Sequence, residues 1–188
     1  MSALATGFTD QAEDSARAFR AILEAMARPG TRQHVAGITP PEGLGIAAAV
    51  AVLVLCDRST PVYLAGGHDS TPIRDWITFQ TGARFAAAPE ADFAIGAWDA
   101  LMPLAQYRVG TAEYPDRSAT LIVDGGPQTR ARLSGPGLQA PIEASLPDPV
   151  AMAANAALFP LGVDFILTEG EALTALPRST RIEVLSCM

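Results

Sequence analysis

The segment from Gly43 to Cys56 limits this chain more than any other. It reads Gly-Leu-Gly-Ile-Ala-Ala-Ala-Val-Ala-Val-Leu-Val-Leu-Cys and carries no charge. A segment that is apolar on every side is stable only where protein covers most of it. It is shorter than the ~20 apolar residues needed to cross a bilayer, so it belongs in a protein core. Its alanines favour helix and its Val/Leu run favours strand. The length decides for a buried helix over about Glu42 to Cys56. A chain of this size buries roughly 70% of its unfolded surface, enough for one large core. With 49% hydrophobic and 18% charged residues, the 188-residue chain is expected to fold as a single domain, 1–188.

Punctuation and period supply the remaining elements. Asp10 to Ala27 has helical period, with Ala12, Ala16, Phe19, Leu23 and Met26 on one stripe and Ile22 beside it. Thr9 or Asp10 caps the start, and Pro29-Gly30 stops the helix. A short strand is expected over Arg32 to Ala36. A second follows from Pro61 to Ala65, then a Gly66-Gly67 turn and a helix capped by Ser70 or Thr71. That helix carries Ile73, Trp76, Ile77 and Gln80 on one face and ends at Gly82. Strands are expected over Ala91–Gly96, Ala119–Val123, Arg130–Leu133, around Ile142, over Val163–Thr168, Ala172–Leu176 and Thr180–Leu185. Short helices are expected over Trp98–Tyr107, interrupted by Pro103, and over Pro149–Leu158. The class is α/β or α+β: a mixed β-sheet flanked by helices.

Charge excludes several functions. The net charge is -7, and no basic stripe marks a nucleic-acid surface. An anionic membrane would repel the chain. All 13 basic residues are arginine. Without lysine there is no Schiff base to a carbonyl substrate or to pyridoxal phosphate, and no P-loop lysine. Cys56 and Cys187 form no disulfide framework, and the N-terminal segment has no signal-peptide pattern; both point to the cytoplasm.

No complete catalytic constellation is visible. His34, His68, Cys56 and Cys187 lack metal-ligand spacing. His68 is read as a surface histidine in a Gly-Gly-His-Asp turn. His68, Asp69 and Ser70 are too close in sequence for triad geometry, and Ser70 serves as a helix cap. The Gly125-Gly126-Pro127 and Gly135-Pro136-Gly137 loops are turns before they are anion cradles, because proline offers no N–H. Three residues remain as candidate ligand-binding positions. Arg28 and Arg178 have guanidinium forks suited to phosphate or phosphonate oxygens, though Arg28 also compensates a helix C-terminus. Asp164 lies inside an apolar run, and a buried carboxylate must be paired or functional.

The motifs fall in a familiar order. They begin with Phe19-Arg20-Ala-Ile-Leu-Glu-Ala-Met26-Ala-Arg28-Pro29-Gly30, Thr60-Pro61-Val62, Phe79-Gln80-Thr81-Gly82-Ala83 and Ala119-Thr-Leu-Ile-Val123. Leu133-Ser134-Gly135-Pro136-Gly137, Phe159-Pro160-Leu161-Gly162-Val163-Asp164, Leu176-Pro177-Arg178-Ser179-Thr180 and Glu183-Val184 follow. This set resembles the PhnH family, a subunit of the bacterial carbon–phosphorus lyase system. Gln80 departs from the histidine of the family pattern, and glutamine is neither acid nor base. The resemblance implies a three-layer α/β fold similar to pyridoxal-phosphate transferases, without the cofactor. It implies a homodimer, and assembly with PhnG, PhnI and PhnJ. With PhnL, that assembly transfers an alkylphosphonate to the ribose of ATP with release of adenine. The resemblance also assigns the later radical cleavage to another subunit, and this chain has no three-cysteine cluster motif.

The leading expectation is therefore an accessory subunit that catalyses nothing itself. Met152 and the Phe159-Pro160-Leu161 corner are its candidate contact residues, with core packing as the equal alternative. A stand-alone enzyme using Asp164 and Arg178, or a ligand sensor for a phosphorylated or phosphonate compound, are the alternatives.

Overall fold

A computed structural model describes residues 5–185; the expectation for Cys187 lies outside them. The order of elements runs β1 (Gln33–His34) after α1 (Gln11–Ala27), then α2 (Ile46–Leu55), β2 (Pro61–Leu64), α3 (Thr71–Thr81), β3 (Arg84–Phe85), β4 (Phe93–Gly96) and α4 (Trp98–Leu101). It continues with β5 (Thr120–Asp124), β6 (Thr129–Ser134), β7 (Ile142–Leu146), α5 (Pro149–Ala156), β8 (Asp164–Glu169), β9 (Ala172–Leu176) and β10 (Arg181–Val184). No helix among the described residues is long and apolar enough to cross a membrane.

The single α/β domain is built on a seven-stranded mixed sheet in the order β1-β9-β8-β5-β4-β2-β3. Strands β2, β3, β4, β5 and β8 are parallel, while β9 runs antiparallel to both β8 and β1. Successive residues of a strand face opposite sides, and β5 shows the consequence. Ile122 enters the core beneath α1, α2 and α3, whereas Leu121 and Val123 enter the core on the other face. That second face is covered by α4, α5 and a separate antiparallel sheet, β10-β6-β7. The sequence pattern predicts a single mixed sheet. Strand pairing is a long-range property, and β6, β7 and β10 pair with one another instead.

Helix α2 is the apolar segment, and Ala47 through Val52 are completely buried. Its N-cap is Gly45, which has no side chain to cap with. The free amides are satisfied from afar: Gly45 N–H donates to Asp124 Oδ2 at 2.7 Å, and Ala47 N–H to the Gly170 carbonyl at 2.8 Å.

Helix α1 has the expected bounds, with Asp10 capping Glu13 N–H, but turns a different face inward. Ala12, Ala16, Phe19 and Leu23 are exposed, whereas Ala18, Ile22 and Ala25 are buried. Residues 18, 22 and 25 repeat at the same spacing, about 100° round the helix. The helix thus carries two apolar stripes. The stripe of Ala18, Ile22 and Ala25 faces inward, where α1 packs on α2 and β9. The two candidate contact regions part ways. Met152 is fully buried core, not contact surface. Leu158 and Phe159 are exposed at 50% and 61%, so that corner does reach solvent.

Candidate functional site

A parallel sheet has two chemically distinct ends, and polar side chains gather at both. At the amino end, Asp164 opens β8 and Arg178 follows β9. Asp164 Oδ1 accepts from the Arg178 backbone N–H at 2.7 Å and from Nε at 3.1 Å, while Oδ2 pairs with Nη2. Arg178 Nη1 donates to the Pro115 carbonyl at 2.6 Å. Every guanidinium nitrogen therefore has a protein acceptor, and the fork pins the 115–117 turn to the sheet. Two of the three candidate residues are thus brought together, as partners of each other. The third, Arg28, is at the C-cap of α1, where its side chain is 65% exposed and pairs with Glu24 at 2.8 Å.

Two further motifs of the sequence meet in the same structural way. Gly137 packs so tightly on the end of α1 that a Cβ there would stand 2.1 Å from the Ala27 carbonyl oxygen. A Cβ on Gly30 would stand 2.8 Å from Ile142 Cδ1 and 3.1 Å from Leu133 Cδ1. The Arg28-Pro29-Gly30 and Leu133–Gly137 motifs thus form one joint, and the Asp164 and Arg178 motifs form another.

At the carboxyl end, His68 follows β2 and Asp124 ends β5. His68 is 7% exposed, which corrects its reading as a surface residue. Its side chain turns inward from the exposed Gly66-Gly67 turn toward β5, the strand beyond β4, whose end supplies a carboxylate: Nε2 stands 3.1 Å from Asp124 Oδ2. Asp124 also accepts the Gly45 N–H, and Thr168 Oγ1 donates to its Oδ1 at 2.9 Å. Burial pushes the Asp124 carboxyl up, but the bonds from His68, Gly45 and Thr168 outweigh it and hold the group below the usual carboxylate range. An ionised carboxylate only accepts, so Nε2 carries the proton. The other ring nitrogen, Nδ1, has no protein partner among the described residues.

In open α/β sheets, ligands bind outside the carboxyl ends, where the chain order departs to either side of one strand. Here that strand is β2, with β3 on one side and β4 on the other. His68 belongs to the turn that leaves it. Nearby, a cavity of about 260 Å³ separates the β8–β9 pair from the small sheet. Leu133, Leu146 and Leu173 are among its lining residues, as are Arg32, Gln128 and Thr168. Thr168 thus touches both the cavity and Asp124. Sequence reasoning missed Asp124, which looked only like the end of a strand before Gly125-Gly126. Nothing local announces a partner 56 residues away.

Other reactive groups are quiet. Burial first, then the nearby Asp57 and Asp92 charges, push the Cys56 thiol up to about 12. No group of three His, Cys, Asp or Glu side chains stands ready for a metal among the described residues.

Comparison with known proteins gives the family of the whole chain. Residues 6–183 match the family described as bacterial phosphonate metabolism protein, PhnH. The chain is 38% identical, over 94% of both chains, to a Rhizobium meliloti (strain 1021) protein named alpha-D-ribose 1-methylphosphonate 5-triphosphate synthase subunit PhnH. It is 28% identical to a Stutzerimonas stutzeri protein named putative C-P lyase subunit protein HtxG, over 93% of this chain and 88% of that one. With the match running nearly end to end, the chain belongs to the PhnH family of bacterial phosphonate metabolism proteins.

Proposed function

We propose that this chain is an accessory subunit of a carbon–phosphorus lyase system, required for transferring an alkylphosphonate to the ribose of ATP. The near end-to-end match to the Rhizobium synthase subunit carries this reading. In the reaction a phosphonate oxygen bonds to ribose C1 and adenine leaves, so the substrates present phosphonyl and triphosphate oxyanions. The reading includes a homodimer, the partners PhnG, PhnI and PhnJ, and a cytoplasmic location. Exposed Phe19 and Leu23 on α1, and Leu158 and Phe159 beyond α5, support it, since partner contacts need apolar surface that the chain's own core does not use.

Similarity to the pyridoxal-phosphate transferase fold is part of the same reading. A mostly parallel sheet whose β9 alone runs against the other strands supports it. The residues do not fit the cofactor itself. There is no lysine to form the imine, and the carboxylate at the sheet's carboxyl end is already held by His68, Gly45 and Thr168. No step is assigned to that group.

The test is co-expression of the tagged chain with its neighbouring genes, weighed by native mass spectrometry. Recovery with several distinct subunits is expected. Recovery of the chain alone, while the other subunits are soluble, would overturn the reading.

A further inference from the structure

We propose that the turn joining β2 to α3 binds a tetrahedral oxyanion, a phosphonyl or phosphoryl group, through His68 Nδ1 and the N–H groups of Gly66 and Gly67. The proposal rests on the phosphonate reading and places its anionic substrate class on particular atoms.

His68 supplies the first argument. The ring is more than nine-tenths buried, and its orientation is set by Asp124 at Nε2. Nδ1 is left without a partner among the described residues. Nδ1 is not sealed from the surface, so a ring fixed at Nε2 offers its second nitrogen to a group from outside. When the imidazole takes up a proton, both nitrogens donate. An oxyanion at Nδ1 then faces Asp124 across the ring, with the positive charge between two acceptors.

The glycines supply the second. Gly66 and Gly67 donate no hydrogen bond to another backbone group among the described residues. Gly66 is explained by its own fold: φ is +56°, and a Cβ would stand 2.8 Å from Ala100 Cβ. Gly67 is not. Its φ lies outside the left-handed region, and a Cβ there would meet nothing within 4 Å. Neither conformation nor packing calls for glycine at 67, whereas close approach of a ligand to the backbone does.

Position supplies the third. The turn leaves β2 at the point where the strand order divides, and it opens α3, whose N-cap Ser70 makes no side-chain capping bond. The helix dipole there favours negative charge. The neighbouring carboxylates do not compete, because Asp69 pairs with Arg74 and Asp124 with its three donors.

The full-length chain would be followed by NMR while methylphosphonate, inorganic phosphate and ATP are added in separate arms. Saturable shifts at the Gly66 and Gly67 amides and at His68 Nδ1 are expected. Tighter binding of methylphosphonate than of phosphate assigns the site to a phosphonyl group; the reverse, or tighter ATP binding, assigns it to a phosphoryl group. Gly67→Ala places a methyl in space this fold leaves open, so it keeps its melting temperature and weakens binding about tenfold or more. His68→Gln weakens it similarly. Absence of saturable shifts in every arm, shifts confined to other residues, or unchanged binding by a folded Gly67→Ala chain would overturn the site. If partner subunits co-purify while the chain binds no anion, this proposal fails and the subunit reading stands. If the chain binds the anion but recovers no partner, the site stands and the subunit reading fails.

Discussion

His68 Nε2 and Asp124 Oδ2 stand 3.1 Å apart, one just beyond β2 and the other at the end of β5. The same carboxylate closes the N-terminus of the most buried helix through Gly45, so this pair joins the core's helical layer to its sheet. The pH consequence has a definite sign. The Asp124 pKa is lower in the folded chain than in the unfolded one. Its stabilisation is therefore complete above the ordinary aspartate range and is lost as pH falls through the folded value. Asp124→Asn should cost about 1–3 kcal/mol at neutral pH. It should also flatten the acid limb of the stability curve. Asp57, Asp69 and Glu143 are lowered too, but they remain in both proteins and cancel in the difference. Urea unfolding from pH 3 to 7 checks this; parallel acid limbs would refute it.

The Asp164–Arg178 pair is expected to act mainly on stability. Removing one partner strands the other in a largely buried position, which costs roughly 3–5 kcal/mol. Arg178→Ala and Asp164→Ala should each fall in that range, and the double variant should lose much less than their sum. A double-mutant cycle in urea measures the coupling. If either variant unfolds like wild type but loses phosphonate binding, the pair is a ligand site instead.

Gly137 tests the joint between motifs. Its φ is +82°, and the Ala27 carbonyl occupies the place of a Cβ. The backbone conformation alone costs a side-chain-bearing residue about 1–3 kcal/mol. Gly137→Ala should lose at least that much by thermal or urea unfolding, because the overlap forces α1 and its Pro29 to move. A variant within experimental error of wild type would show that the two motifs separate without cost.

The two stripes of α1 should respond oppositely. Ile22→Ala empties a core position and should cost about 2–5 kcal/mol. Leu23→Glu changes an outward residue and should leave stability within about 0.5 kcal/mol. The same Leu23→Glu chain should recover less partner subunit on co-purification. Unfolding by Leu23→Glu would mean that the inward face has been misassigned.

Much of the chain is legible in its sequence. The length and uniform apolarity of Gly43–Cys56 demand a buried helix. Pro29-Gly30 and Gly82 stop helices through local backbone chemistry. The Val163–Thr168 run is recognisable as a central strand because both its faces are apolar. Asp164 is legible as a carboxylate needing a partner, although its partner is not. The two-residue β3 is not legible, since so short a strand has no period to detect.

The sequence by itself determined a mixed fold of helices and strands, the limits of α1 and α3, the exclusion of lysine chemistry and the family pattern. These depend on composition and on neighbours a few residues apart, where propensity, capping and period act. Only the tertiary structure decided that Asp124 reaches His68 and Gly45, that Asp164 reaches Arg178, and that Phe19 and Leu23 face outward. Those outcomes depend on which strand ends the sheet gathers at one edge and on which stripe of a helix packs inward. Both are fixed by packing between segments far apart in the chain.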